Sequence, residues 1–225
     1  MVADLKDPAG SHPQTPGVTE TAERLYLQNA PACTGLEAAL SRTPGQAQTT
    51  GLSNPRITMK LALDLHLGRD TGAAAGVAFD DWAAAEPTRT CISLIAHVEK
   101  AQPGDAGQRE LTCLLQLLRE QGLAPEVILI NGWVHTDAME TAGLGRHLYQ
   151  ALGGRVAIIG VARTALPGTP AQFEVYREEE ARPLIVTCVG IELGAAKARL
   201  RAMHGKRRVP TLLKLATRLA KAGLN

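Results

Sequence analysis

An aspartate inside an apolar run is the first residue that needs a chemical reason. Residues 60–67 read KLALDLHL, with Asp64 in the middle. An ionised carboxylate there is costly unless it is paired or bound to a cation. Two or three carboxylates converging on such a strand would hold Mg²⁺ through oxygen ligands. A site of that kind can activate water and stabilise the leaving oxygen when a phosphodiester is cleaved. The competing reading turns Asp64 to a sheet edge, or pairs it with a lysine or arginine. His66, two residues on, faces the same side of a strand. It is a replacement ligand, a partner behind the ligands, or an ordinary half-buried histidine. His135 and Asp137 follow the apolar run EVILIN, where ligand-facing loops lie in open α/β sheets. Both can equally be plain loop polars.

These side chains need elements to bring them together. KLALDLHL, AAAGVAFDDW and TCISLIAHVE read as three strands with connections short enough for antiparallel neighbours. RELTCLLQLLREQG carries a helical period through Leu111, Leu114, Leu115 and Leu118, and Gly122 stops it. EVILIN is a short buried strand, followed by a helix over Asp137–Leu152. RVAIIGVA and PLIVTCV are further strands, with a short one between. Two helices close the chain, Leu193–Met203 and Pro210–Ala222, where Pro210 suits a first helical turn. The order β-β-β-α-β-α-β-(β)-β-α-α predicts a mixed α/β sheet with helices on both faces, the ribonuclease H-like arrangement. The first strand is then central and the fourth runs parallel beside it. Asp64 and Asn131, at the end of the fourth strand, become neighbours. Glu110, opening the first long helix, reaches the same spot. Trp133 either stacks on a base or is core, and the acidic run EVYREEE reads as a solvated loop.

Composition narrows the field. The 225 residues are 45% hydrophobic and 20% charged, enough for one buried core plus a tail. No run of about 18 apolar residues appears, so no membrane span is expected. The first residues lack an apolar stretch of the secretory kind. Cys33, Cys91, Cys113 and Cys188 form no CxxC pair, so the expectation is no disulfide scaffold and a reducing cytoplasm. Phosphate-loop and dinucleotide signatures are absent, which argues against a nucleoside-triphosphate enzyme. Aromatics are only 3%, too few for a broad base-stacking surface. Residues 1–56 hold six of the 13 prolines and read as a weakly ordered extension, able to meet a protein partner. Helical pieces are expected there over 19–28 and 34–40, and residues 57–225 are expected to form the domain. Charge is uneven. Nine of the 24 Lys and Arg, and none of the 22 Asp and Glu, lie from Leu193 onward. The rest holds 15 basic against 22 acidic residues. A basic end on an acidic body attracts phosphates, or is a solvated helix face.

Residues 59–222 resemble endonuclease V, a metal-dependent nuclease family that cleaves near deoxyinosine in DNA or inosine in RNA. LALDLHL places Asp64 on the family's first aspartate. PGDAGQRE is similar to PGFLSFRE, which puts Glu110 on a metal-binding glutamate. INGWV is similar to VDGHG, GLGRH to GxASH, and IIGVAR to TIGVAK. PLIVTCVG and the basic KRRVPTLLKLATRLA also have counterparts. Four positions differ. Asn131 stands for an aspartate, Val189 for the catalytic histidine, Ala101 for the wedge tyrosine and Arg163 for a lysine.

The resemblance implies a Mg²⁺- or Mn²⁺-dependent endonuclease that acts in DNA repair. Asp64 and Glu110 would bind the metal, and Asn131 would be a neutral third catalytic ligand. Arg163, Lys206, Arg207 and Arg208 would hold the backbone of single- or double-stranded DNA or RNA. Losing one carboxylate costs roughly 3–4 kcal/mol of transition-state stabilisation, and losing the histidine about two decades of rate. Reduced activity and relaxed base selectivity are expected. His135, Asp137 or Glu192 would be the replacements. The alternative is a non-catalytic pseudonuclease that binds nucleic acid or protein.

Overall fold

A computed structural model describes residues 59–98, 107–136, 141–178 and 180–224. The expected N-terminal extension and its two helical pieces lie outside these residues, as do Ala101 and Asp137. Among the described residues no helix is long and apolar enough to cross a membrane.

Alternation in the sequence builds the sheet. In β1 (Lys60–Leu67), Leu61 and Leu63 pack to one face and Ala62 to the other. A turn closed by the Gly68 N–H on the Thr71 carbonyl (2.8 Å) leads into antiparallel β2 (Gly72–Phe79). β2 is rich in alanine and wholly buried, so helices can approach it closely. β3 (Arg89–Ile95) forms the edge. α1 (Gln108–Glu120) then crosses to β4 (Val127–Ile130), which pairs parallel with β1. α2 (Leu144–Ala151) crosses to β5 (Ala157–Ala162), parallel to β4. A 3-10 turn (Ala171–Phe173), β6 (Glu174–Val175) and β7 (Leu184–Val189) complete the sheet. α3 (Leu193–Ala202) and α4 (Thr211–Ala222) follow. The order across the seven strands is β3-β2-β1-β4-β5-β7-β6.

Two cores flank this sheet. On one face Leu61, Leu63, Ile128 and Ile130 meet Leu111, Leu114 and Leu118 of α1 and Leu148 of α2. On the other, Ala62, Val77, Leu129 and Ile159 meet Leu200 of α3 and Leu212, Leu213 and Ala216 of α4. The expected ribonuclease H-like α/β architecture is therefore present, with β1 central and β4 parallel beside it.

Several boundaries differ from the sequence reading, and the third strand ends at Ile95 rather than running through the whole of TCISLIAHVE. The second strand ends at Phe79 rather than running to Trp82, because Asp81 Oδ1 accepts the Ala83 N–H (2.7 Å) and turns the chain. The helix expected from Asp137 begins at Leu144. Residues before it pair backward instead: the Thr136 N–H donates to the Thr141 carbonyl (2.9 Å) and the Gly143 N–H to the Val134 carbonyl (2.9 Å). EVYREEE is not simply a solvated loop. It opens with edge strand β6 and carries Arg177, which is only 3% exposed.

Candidate functional site

The parallel register of β1 and β4 decides where Asp64 points its partners. Leu63 lies opposite Ile130, so Asp64 and Asn131 stand side by side as β4 ends. The Asn131 N–H continues the ladder onto the Leu63 carbonyl (3.3 Å). Asp64 is buried at 9% exposure, and both of its oxygens are occupied. Oδ1 accepts the Leu65 N–H (2.8 Å), and Oδ2 accepts the Asn131 amide Nδ2 (3.1 Å). The buried charge is thus met by two donors rather than by a basic residue, which offsets much of its desolvation.

Glu110 arrives from the opposite element, in the first turn of α1. A carboxylate there complements the partial positive charge of the helix start. Asp64, Asn131 and Glu110 line one cleft of about 260 Å³, walled by Leu65, Leu67, Leu114 and Leu144. Apolar walls strengthen whatever electrostatic attraction the two carboxylates exert. Among the described residues no group of three His, Cys, Asp or Glu gathers in one place. The cleft therefore offers two carboxylates and one amide. All are hard oxygen donors suited to Mg²⁺ or Mn²⁺, and together they carry a charge that matches one divalent ion.

The other residues singled out in the sequence are spread around this cleft. Arg163, just past β5, is exposed, and its Nη2 donates to Thr217 Oγ1 of α4 (3.3 Å). Asn131 and Arg163 line a second, small hollow with Leu213 and Thr217. Asn131 is therefore the residue shared by the acidic cleft and the arginine. His66 is exposed and is not among the residues lining the cleft. His135 lines a different cavity. Val189 ends β7 opposite Ile158. Glu192 caps α3: its carboxylate accepts the Ala195 N–H (2.9 Å), and backbone N–H groups hold its carboxyl below the usual value.

Lys206, Arg207 and Arg208 lie in the loop between α3 and α4, and Arg177 shapes that loop from beneath. Its Nη1 donates to the carbonyls of Arg207 (2.8 Å) and Arg208 (3.3 Å). Its Nη2 donates to those of Gly205 (3.1 Å) and Met203. Burial pulls this guanidinium below its ordinary value, and the neighbouring Glu178 works against that. Four carbonyls turned inward leave the basic side chains of the loop to face outward. Lys206 and Arg207 are exposed and Arg208 half-buried. Sequence reasoning passed over Arg177. The one available signal was a single arginine after an alternating Glu-Val-Tyr in an otherwise acidic run.

The segment after β4 is pinned by tertiary contacts. The Val134 N–H donates to Thr187 Oγ1 of β7 (2.9 Å). Gly160 of β5 permits the approach, since a Cβ there would stand 2.8 Å from the Gly132 carbonyl oxygen. Trp133 is thereby turned into a cavity of about 300 Å³ that His135, Gln172, Phe173 and Cys188 also line.

Comparison with known proteins agrees with this architecture. No family model matches the sequence, and no curated protein does. Solved structures do match. Endonuclease V of Bacillus subtilis superposes with a TM-score of 0.60 at 19% identity, covering 74% of this chain and 80% of the other. The chain has the endonuclease V fold. Endonuclease V of Streptomyces avermitilis gives a TM-score of 0.58 at 22% identity, with 96% of each chain covered. A variant of Ciona intestinalis endonuclease V, bound to a 23-mer DNA containing an inosine followed by a ribo-adenosine, gives 0.60 at 16% identity. That match covers 75% of this chain and 86% of the other. At these identities the likeness is one of fold, so the chemistry has to be argued from the cleft.

Proposed function

We propose that the chain is an endonuclease V-like, metal-dependent nucleic-acid endonuclease with a weakened catalytic centre. The observation that carries this reading is the convergence of Asp64, Asn131 and Glu110 on one cleft of an endonuclease V fold. Asp64 and Glu110 would hold a single Mg²⁺ or Mn²⁺ ion, and Asn131 would contribute its amide oxygen as a neutral ligand. When bound, such an ion would supply water activation and stabilisation of the leaving oxygen in phosphodiester hydrolysis.

The chain's own residues do the rest. The Leu65 N–H and Asn131 Nδ2 fix the Asp64 carboxylate in place. To ligate, Asn131 has to present its oxygen where its Nδ2 now donates, which gives up that hydrogen bond. Arg163 and the Lys206–Arg208 loop hold the phosphate backbone. Val189 has no proton to give, so no side chain at that position assists proton transfer. One carboxylate fewer than an all-acidic centre costs about two to three decades of rate. Selectivity for inosine is relaxed, because Ala101 supplies no ring to part the bases. The chain's partners in this reading are DNA or RNA, with no membrane role.

Incubating the purified protein with labelled single-stranded DNA and RNA, each with and without inosine, tests the proposal. Mg²⁺ and Mn²⁺ are supplied separately, and Asp64→Ala is the control for contaminating nucleases. Slow, metal-stimulated cleavage that vanishes in Asp64→Ala is expected. Cleavage no faster than that of Asp64→Ala overturns catalysis, and retained binding in the same samples then assigns the chain to the non-catalytic class.

A further inference from the structure

We propose that the loop between α3 and α4 is a preformed cradle for one phosphate of the bound strand, with buried Arg177 as the positioning residue that shapes it. The inference rests on the reading that this chain binds nucleic acid, and it adds how a phosphate is gripped. Arg177 is only 3% exposed, and among the described residues no carboxylate pairs with it. Its guanidinium is met instead by the carbonyls of Met203, Gly205, Arg207 and Arg208. A trans peptide aims its N–H opposite to its C=O. Turning the Met203 and Gly205 carbonyls onto Arg177 therefore aims the N–H groups of His204 and Lys206 away from it. Both residues are exposed, and neither N–H has an acceptor among the described residues. Outward N–H groups in a loop favour an anion, and the exposed Lys206 and Arg207 side chains add positive charge there. The loop is braced by its own chain. Glu180 Oε1 accepts the Arg208 N–H (3.3 Å), and the Thr211 N–H donates to the His204 carbonyl (2.9 Å). Gly205 allows this closure: its φ is +119°, and a Cβ there would stand 2.7 Å from Thr211 Oγ1. Val209, next after Arg208, lines the small hollow that Asn131 and Arg163 share. A phosphate on the loop is therefore a neighbour of the one beside Arg163, and the strand runs from the acidic cleft past Arg163 onto the loop.

Two variants alter the cradle without altering its charge. Gly205→Ala disturbs the loop directly. Arg177→Lys keeps a cation, but one ammonium does not span four carbonyls. The full chain in EDTA is titrated with a labelled oligodeoxythymidylate at a series of salt concentrations, and separately with inorganic phosphate at matched ionic strength. Each variant should bind the strand roughly tenfold more weakly, and the slope of log affinity against log salt should shrink by about 0.7, one phosphate of a single strand. The two changes combined should cost little more than either alone, because both spoil one cradle. In wild type, the strand should shift the amide NMR resonances of His204 and Lys206, a readout that needs no variant to fold. Strand binding that leaves those two resonances in place overturns the cradle but keeps the nucleic-acid reading. So does an unchanged salt slope in both variants, or losses that simply add. Shifts with inorganic phosphate but none with the strand assign the loop to a free anion and also overturn it. No binding of the strand by wild type at low salt removes the nucleic-acid reading and the cradle together.

Discussion

Two hollows flank the end of β4, and they solve opposite problems. Toward β1 and α1, the cleft of Asp64 and Glu110 gathers negative charge within leucine walls. Toward β7 and α3, the cavity of Trp133 and Phe173 gathers rings around a buried histidine nitrogen with no hydrogen-bond partner among the described residues. In the first, a buried carboxylate is already satisfied, because Asn131 donates to it where a second carboxylate would repel it. In the second, the buried ring nitrogen is not. An amide beside Asp64, rather than a second carboxylate, spares that hollow a like-charge repulsion.

The largest effect separating the two comes from Asp64→Ala. Metal-stimulated cleavage should fall by about three decades, while the tryptophan fluorescence from the other hollow stays as it was. A parallel loss of both would mean that the hollows are one site. Asn131→Asp comes next. It should raise cleavage by roughly two decades. Without metal it should destabilise the fold by about 1–3 kcal/mol, since a donor to Asp64 becomes a like charge. Thermal melts should recover with added Mg²⁺. They should also recover on acidification, because the facing carboxylates hold each other's pKa above the unfolded value and the penalty exists only when both are ionised. A variant insensitive to both would show that Asn131 does not face an ion site.

Thr187→Val sharpens the contrast from the other side. It leaves the Val134 N–H without its acceptor in a buried setting, at a cost of about 1–3 kcal/mol. The emission of Trp133, next to Val134, should shift, while the residual cleavage per bound strand should not change.

The smallest effect is remote from both hollows. Ser93 and Gln116 donate to Glu120 and hold its carboxyl below the ordinary 4.5. A depressed folded-state pKa gives stability that is present above the unfolded value and lost as pH falls. Ser93→Ala should therefore flatten the loss of stability below about pH 4.5. The change should be under about 1 kcal/mol, because Glu120 is exposed and water screens it. Acid-range melts that do not differ between the two proteins would contradict it.

Alternation and helical period along the chain sufficed for most of the elements, since they reflect which face of each must be buried. KLALDLHL is a strand over its full predicted length, and the leucines of RELTCLLQLLREQG pack as α1 against β1 and β4. The polar exception to those patterns, Asp64, pointed to the cleft because a polar residue at a strand position destined for burial needs a partner. Local pattern could not say what that partner was. The amide-to-carboxylate bond depends on the parallel register of β1 and β4, two segments 67 residues apart in sequence at the bonded pair. Arg177 could not be separated from its acidic neighbours, because its acceptors are carbonyls of a loop some 30 residues downstream. Nor could the helix after β4 be placed, because backbone pairing between 134–136 and 141–143 outcompetes local helical propensity there. Sequence by itself determined which residues must be inside and which faces must meet. Only the tertiary structure decided which polar atoms pair and which hollows stay open, because those depend on contacts between strands and loops that share no local period.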